Sequence, residues 1–317
     1  VLSYTHHENN TGYYEGVFVK RLKNSIFSPF KIACFLMKKR RSVSILHIHT
    51  PSRIGKLAVF IGFLLRYRVI FKFPNEHLLN GRNLSDRMLW RSLFFMVDLF
   101  VVLEEDTKNI LKRRAVSDAK VFCVENGVEM SAPKKLPESD SVRLIFVGRL
   151  TPQKACDQLI HACSLLKKGG VSFSLDVVGE GDLSDELSSL ACHLGLSDHI
   201  NFIGYQDRPL ELMKKSDILV LPSLKEGMSN VLLEAISIGL PIVATDVGSA
   251  SKQLGTYGEK FLCKPSEAVC LADKIQLLAK DKELRDEYGS YLYKRGVDVF
   301  SIDTISEKYI QAYKEVV

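Results

Sequence analysis

The sequence predicts an α/β protein made of two doubly wound parallel-sheet domains. Three observations predict it. Short continuous apolar runs alternate with helix-period stretches, the pattern of strands buried on both faces beneath covering helices. The alternation pauses at a Pro- and Ser-containing stretch, Asn126–Asp140, and then restarts. The chain has 317 residues, 46% hydrophobic and 25% charged, enough for two domains with sizeable cores.

Taken in order, "SILHIHT" (Ser44–Thr50), "RVIFKF" (Arg68–Phe73), "LFVVL" (Leu99–Leu103) and "KVFCV" (Lys120–Val124) read as buried strands, with helical patterns between most of them. After the linker come "RLIFVG", "SLDVVG", "INFIG", "ILVLPS" and "PIVATD". The expected division is 1–135 for the first domain, 136–300 for the second, and 301–317 as a C-terminal helix packing back toward the first. The chain opens at Val1 rather than at methionine, so residues upstream are expected to be missing.

Composition excludes several classes. The longest apolar run, Leu57–Leu65, is too short to cross a bilayer and is followed by Arg66 and Arg68. No secretory signal pattern is present. Seven cysteines without C-x-x-C or metal spacing read as small apolar residues in a reducing cytosol. Charge is uneven. Residues 1–135 hold 23 Lys+Arg and 11 Asp+Glu, net +12, and the remainder is net −6. The "KKRR" at Lys38–Arg41, beside the apolar "FSPFKIACFLM", reads either as a solvated cluster or as a surface for anionic lipid. Nucleic acid is not expected, because no stacking platform, zinc or helix-turn-helix signature accompanies the charge. A cytoplasmic protein is expected, with peripheral contact to the inner face of the membrane as the alternative to free solution.

The chemistry concentrates past the strand ends of the second half. "FVGRLTPQK" places Gly148, Arg149 and Lys154 between a strand and a helix, where open α/β sheets bind ligands. Two cations at a helix entrance suit a pyrophosphate, although alone they read better as solvated loop charges. "VVGEGD" puts Gly179 and Gly181 after the next strand, for close approach of a flat group or for a plain turn. In "LKEGMSNVLLEAISIG", Glu226 sits in a loop, Ser229 is a natural N-cap, and Gly239 ends the helix. Gly227, Met228, Ser229 and Asn230 would then present backbone N–H groups at a positive helix end. Glu234 lies about 7 Å up that helix, too far in to serve the dipole. One carboxylate for a ribose diol and one for sugar hydroxyls, with cations for the phosphates, fits a nucleoside diphosphate sugar.

The stretches "VGRLTPQK", "VVGEGDLSDEL", "INFIGYQD", "SDILVLPSLKEGMSNVLLEAISIGLPIVATDVG" and "LAKDKELRDEYG" resemble the retaining GT-B glycosyltransferases of family 4, also called group 1. The resemblance covers the second domain nearly end to end, with weaker echoes, "ILHIHTP" and "VENGVE", in the first. It implies a GT-B fold, two Rossmann-like domains facing a cleft. The first is incomplete, since the family's opening strand, glycine-rich loop and helix are not found. It implies transfer of a sugar, with retention, from a nucleoside-diphosphate sugar (a UDP-sugar foremost) to a glycan or lipid-linked glycan in capsule, lipopolysaccharide or exopolysaccharide synthesis. Glu234 would hold the ribose, Glu226 the donor sugar, and Arg149 with Lys154 the diphosphate; Glu226, Arg149 and Lys154 form the catalytic set. Residues 227–230 would line sugar and phosphate, Val231 would pack near the ribose, and Gly204 and Tyr205 would lie near the base. No metal or other cofactor is expected, since D-x-D is absent and two cations plus a helix end can replace Mg²⁺.

The chain departs from the family at three places. Pro74 stands where a histidine is usual, with His77 as a substitute or a surface residue. His49 ends a strand on the acceptor side, for acceptor contact or for capping. Ser251 and Lys252 stand where a glutamate often follows "TDVG". Two alternatives stay open: a non-catalytic nucleotide-sugar-binding GT-B remnant, and another GT-B enzyme such as a sugar-nucleotide epimerase.

Overall fold

The computed structural model describes residues 2–5, 12–14, 17–23, 28–49, 52–73, 92–114, 116–133 and 141–317. The chain forms two compact units, Val1–Val124 with Ile310–Val317, and Glu125–Tyr309.

The first unit opens with β1 (Leu2–Thr5), β2 (Gly12–Tyr14) and β3 (Val17–Lys23). They form a sheet of order β1-β3-β2, with β1 parallel and β2 antiparallel to β3. These strands were not expected from the sequence. Then come α1 (Ser28–Lys39), β4 (Ile45–Ile48), α2 (Arg53–Leu64), β5 (Arg68–Phe73), β6 (Leu99–Val102), α3 (Glu105–Arg113) and β7 (Val121–Cys123). The last four strands make a parallel sheet in order β4-β5-β6-β7, as the apolar runs predict. Alternate residues Val69, Phe71 and Phe73 face one side and pack with Ile32, Leu36 and Val59 of α1 and α2. Arg40 locks the ends of these helices together. Its Nε donates to the Leu65 carbonyl (2.6 Å) and its Nη2 to the Arg66 carbonyl (3.0 Å).

The second unit contains β8 (Val142–Val147), α4 (Cys156–Lys168), β9 (Phe173–Val178), α5 (Ser184–His193), β10 (Ile200–Gly204), α6 (Leu210–Met213) and β11 (Ile218–Leu221). It continues with α7 (Asn230–Ser237), β12 (Ile242–Thr245), α8 (Ala250–Gly258), β13 (Leu262–Cys263), α9 (Ala268–Lys280), α10 (Lys282–Arg295) and α11 (Ile302–Lys314). Its strand order is β10-β9-β8-β11-β12-β13, all parallel. The order reverses direction between β8 and β11, and that switch point is where a doubly wound sheet opens a crevice beyond its strand ends.

The division falls at Val124/Glu125 rather than at 135. The reason is local: Val128 bridges to Ser301, donating to the Phe300 carbonyl (2.8 Å) and accepting from Ile302 (3.1 Å). The first part of the expected linker is thus built into the second unit, and residues 134–140 lie outside the described residues. Helix α11 divides as well, with Ile310–Val317 grouping with the first unit. The cysteines differ from expectation too. Cys263 and Cys270 are disulfide-bonded, their Cα atoms 5.9 Å apart across β13 and α9, a separation usual for a bridge. Cys156 and Cys163 are buried thiols as expected, and burial pushes Cys156 up to about 12, whereas Cys192 is exposed.

In the first unit the Tyr313 hydroxyl and His47 Nδ1 are hydrogen-bonded at 2.9 Å, and His49 stacks on His47 at 4.0 Å. Burial, then the charges of His49 and Lys72, lower His47 from 6.5 to about 3. The unfolded chain therefore binds a proton that the folded one refuses between those values. This contribution to stability is complete above 6.5 and is lost as the pH falls toward 3. Urea unfolding at pH 7.5 and pH 5 is expected to show the first unit weakened at the lower pH by on the order of 1 kcal/mol. His47→Gln is expected to remove most of that difference.

Candidate functional site

Because β8 and β11 are neighbours, the loops after them meet, and side chains and backbone zip them together. The Leu224 N–H donates to the Gln153 carbonyl (2.8 Å), and Gln153 Nε2 donates to the Lys225 carbonyl (2.8 Å). Lys154 lies on a short 3-10 turn, Pro152–Lys154, entered from an extended Thr151. Its ammonium pairs with Glu226 Oε1 at 2.5 Å, and both side chains are largely buried. The same oxygen accepts from Ser223 Oγ (2.7 Å), and the Ser223 carbonyl accepts from Thr245 Oγ1 (2.5 Å). Two residues expected to act on different parts of a ligand therefore form one ion pair. The Arg149 side chain, by contrast, is exposed and makes no hydrogen bond or ion pair among the described residues, so its donors are unspent.

The glycines past β8 and β9 are required by the backbone around them. A Cβ on Gly179, at φ +138°, would lie 1.9 Å from the Gly148 carbonyl oxygen. A Cβ on Gly181 would lie 2.2 Å from that of Leu150. The two loops run in contact, with Gly148 N–H donating to Val178 and Leu150 N–H to Glu180. A Cβ on Gly148 would meet the Phe146 ring at 3.3 Å and the Lys154 side chain at 3.5 Å. Gly204 takes φ +76°, and its carbonyl accepts from Gly179 N–H (2.9 Å). The next N–H, of Tyr205, donates to Glu180 Oε1 (3.3 Å), and the Tyr205 ring is exposed at the end of β10.

The loop before α7 is held from behind by Gly248–Gln253. Gly248, at φ +57°, packs against the Glu226 and Gly227 carbonyls, and Ser249 N–H donates to Gly227 (3.2 Å). Gln253 is fully buried. Its Oε1 accepts from Ser229 N–H (3.1 Å) and its Nε2 donates to the Ser229 carbonyl (2.9 Å). This corrects the reading of Ser229 in two respects: its N–H is consumed inside the protein, and its hydroxyl does not cap the helix. Gly227, Met228, Asn230 and Val231 do lie at the helix entrance as expected. Asn126 reaches them, its N–H toward Met228 Sδ (3.2 Å) and its Nδ2 to Asn230 Oδ1 (3.2 Å).

Glu234 stands in the second turn of α7. Its Oε2 is buried and meets no hydrogen-bond partner among the described residues. Burial raises its pKa above the usual carboxylate range. An unsatisfied buried acceptor is costly, so its persistence points to a partner supplied from outside. In the first unit, His49 is exposed just past the end of β4. His77 lies outside the described residues. Sequence reasoning missed Gln153, Ser223, Gln253 and Asn126. Their partners are distant in sequence, and no local spacing announces them.

The family model for glycosyl transferases group 1 matches residues 129–295, more than half of the chain. An uncharacterized glycosyltransferase of Haemophilus influenzae is 29% identical over 188 residues, 59% of this chain and 53% of that protein. A capsular polysaccharide biosynthesis glycosyltransferase of Staphylococcus aureus is 23% identical, over 70% of this chain and 62% of that one. The chain thus spans little more than half the length of these curated relatives. Among solved structures, Anabaena HepE in complex with UDP superimposes with a TM-score of 0.80 at 18% identity, covering 94% of this chain and 86% of that one. The fold is therefore GT-B, two Rossmann-like units. With the family model resting on the same unit that carries the Lys154–Glu226 pair and Glu234, the chain belongs to the glycosyl transferases group 1.

Proposed function

We propose that this protein transfers a sugar, with retention of anomeric configuration, from a nucleoside-diphosphate sugar to a glycan or lipid-linked glycan of a surface polysaccharide. The observation that carries this reading is the buried, unpartnered Oε2 of Glu234, two turns from a loop that bears the Lys154–Glu226 pair. A ribose diol supplies the two hydroxyl donors such a carboxylate lacks. The UDP bound to HepE and the capsule synthesis of the Staphylococcus relative favour a UDP-sugar and a polysaccharide product.

In this reading the diphosphate lies over the α7 entrance beside exposed Arg149, and Lys154 shares its ammonium between Glu226 and a phosphate oxygen. Glu226 accepts from sugar hydroxyls through the oxygen Lys154 does not hold. The acceptor hydroxyl attacks the anomeric carbon on the face the diphosphate leaves. The glycosyl C–O bond to phosphate breaks, the new C–O bond forms, and the acceptor's proton passes to the departing phosphate oxygen. Positioning and charge stabilisation supply most of the acceleration.

A second element of the reading concerns α1 and α2. Phe30, Met37, Phe60, Phe63 and Leu64 are exposed there, beside exposed Lys38, Lys39 and Arg41. Apolar side chains flanked by cations suit the surface of an anionic bilayer, from which a lipid-linked acceptor would come. Arg40 is not part of this surface, being spent on the Leu65 and Arg66 carbonyls. No helix among the described residues is long and apolar enough to cross a membrane.

Replacing Glu234 by Met is expected to do two opposite things. UDP affinity falls roughly tenfold, and the unliganded protein melts about 2 °C higher, because the desolvated carboxylate is gone. The cost it removes is full above the raised pKa and vanishes below 4.5, so the gain should disappear in acid. Glu226→Ala should instead lower turnover of the nucleotide sugar far more than affinity for free UDP. Calorimetry showing equal losses of UDP affinity in both variants would refute this division of roles. Turnover should survive a chelator, given Arg149, Lys154 and the absence of D-x-D; loss restored by Mg²⁺ or Mn²⁺ argues otherwise. Co-sedimentation with vesicles should need anionic lipid, weaken as salt shortens the screening length to about 3 Å at 1 M, and fall when Lys38, Lys39 and Arg41 are neutralised together. Binding indifferent to lipid charge leaves the cluster an ordinary solvated face.

A further inference from the structure

Glu125 is the first residue of the second unit and is only 7% exposed. Its two carboxylate oxygens are held by different lysines. Lys252 lies 2.9 Å from Oε1, and Lys308 lies 2.8 Å from Oε2. Lys308 precedes Ile310, where the chain leaves the unit again. One carboxylate thus ties together the two places at which the chain enters and leaves the second unit. Lys252 belongs to the segment that fixes the α7 entrance from behind, through Gln253 and Ser229. The residue after Glu125 is Asn126, which touches Met228 and Asn230. Beneath them, Gly127 leaves no slack, since a Cβ there would meet the Ile305 side chain of α11 at 3.3 Å.

We infer that Glu125 is a positioning residue for the donor site, acting through Asn126 on one side and through Lys252 and Gln253 on the other. Resting on the function proposed above, the inference gives a role to a residue of the "VENGVE" stretch that lies outside the candidate site set and whose carboxylate is held by two lysines. A structural ion pair of this kind would ordinarily contribute to stability alone. Here the carboxylate sits at the convergence of α11, the Gly248–Gln253 segment and the Met228–Asn230 loop. Removing its charge leaves two half-exposed cations converging on a buried position without the anion between them, next to Asn126 in the chain.

The test uses Glu125→Gln, Asn126→Ala and the double variant of the full chain, with UDP as the probe. Glu125→Gln is expected to weaken UDP roughly fivefold. That loss should largely disappear when Asn126 is already alanine. Hydrogen exchange without ligand should speed up at the amides of residues 228–231 and stay unchanged in β8 and β9. Lys308→Met, which removes one of the two cations, should give the same exchange pattern if Glu125→Gln folds poorly. Lys214→Gln, which breaks an exposed pair with Glu211, should change neither readout. Strictly additive losses of UDP affinity, or exchange that is unchanged at 228–231 or raised evenly through the unit, would overturn the inference. If the unmodified chain binds no UDP, the proposed donor is wrong, and the exchange pattern alone decides the role of Glu125.

Discussion

Everything at the site depends on β8 and β11 lying side by side in a parallel sheet. Parallel strands send all their C-terminal ends to one edge, and the reversal of order there leaves two adjacent loops without a helix between them. Gln153, Lys154, Ser223, Lys225 and Glu226 then close those loops on each other. A phosphate-sized anion approaching this edge meets Arg149 outside and a prepaired lysine inside. Had the second unit been built from antiparallel strands, the same residues would have been dispersed to both edges.

Most of the second unit was legible because its central strands are largely apolar, with β11 and β12 buried along their whole length, and a sheet covered on both faces requires that. The carboxylates were legible because Glu226 and Glu234 stand where neither capping nor solvation needs them. What was not legible is how the backbone uses its neighbours. Gly179 read as room for a flat group or as a plain turn, and nothing in the sequence announces the Gly148 carbonyl that excludes a side chain there. Ser229 looked like an N-cap with a spare N–H, and a glutamine 24 residues on takes that N–H. Arg40 looked like one of four equivalent surface charges, and it is the brace between two helix ends. Strands β1 and β2 escaped because they are only four and three residues long, and β3 because Lys20, Arg21 and Lys23 fill its second half.

The site also holds two buried or half-buried carboxylates in opposite states. Glu226 has one oxygen doubly held, by Lys154 and Ser223, before any ligand arrives. Glu234 has a buried oxygen with none, and its pKa is raised in consequence. The first is a prearranged charge, and the second is a vacancy in the hydrogen-bond inventory that the fold tolerates at a cost to its own stability.

The second unit is an uninterrupted stretch of chain, whereas the first is completed by Ile310–Val317. During synthesis the two are therefore not equivalent. Glu125–Tyr309 can close its six-stranded sheet as soon as it has been made. The first unit, although translated earlier, lacks its last segment and the Tyr313–His47 contact until the end of the chain has been made. The half of the protein that is made first is therefore the half completed last, and in that interval His47 of β4 stands without its tail partner.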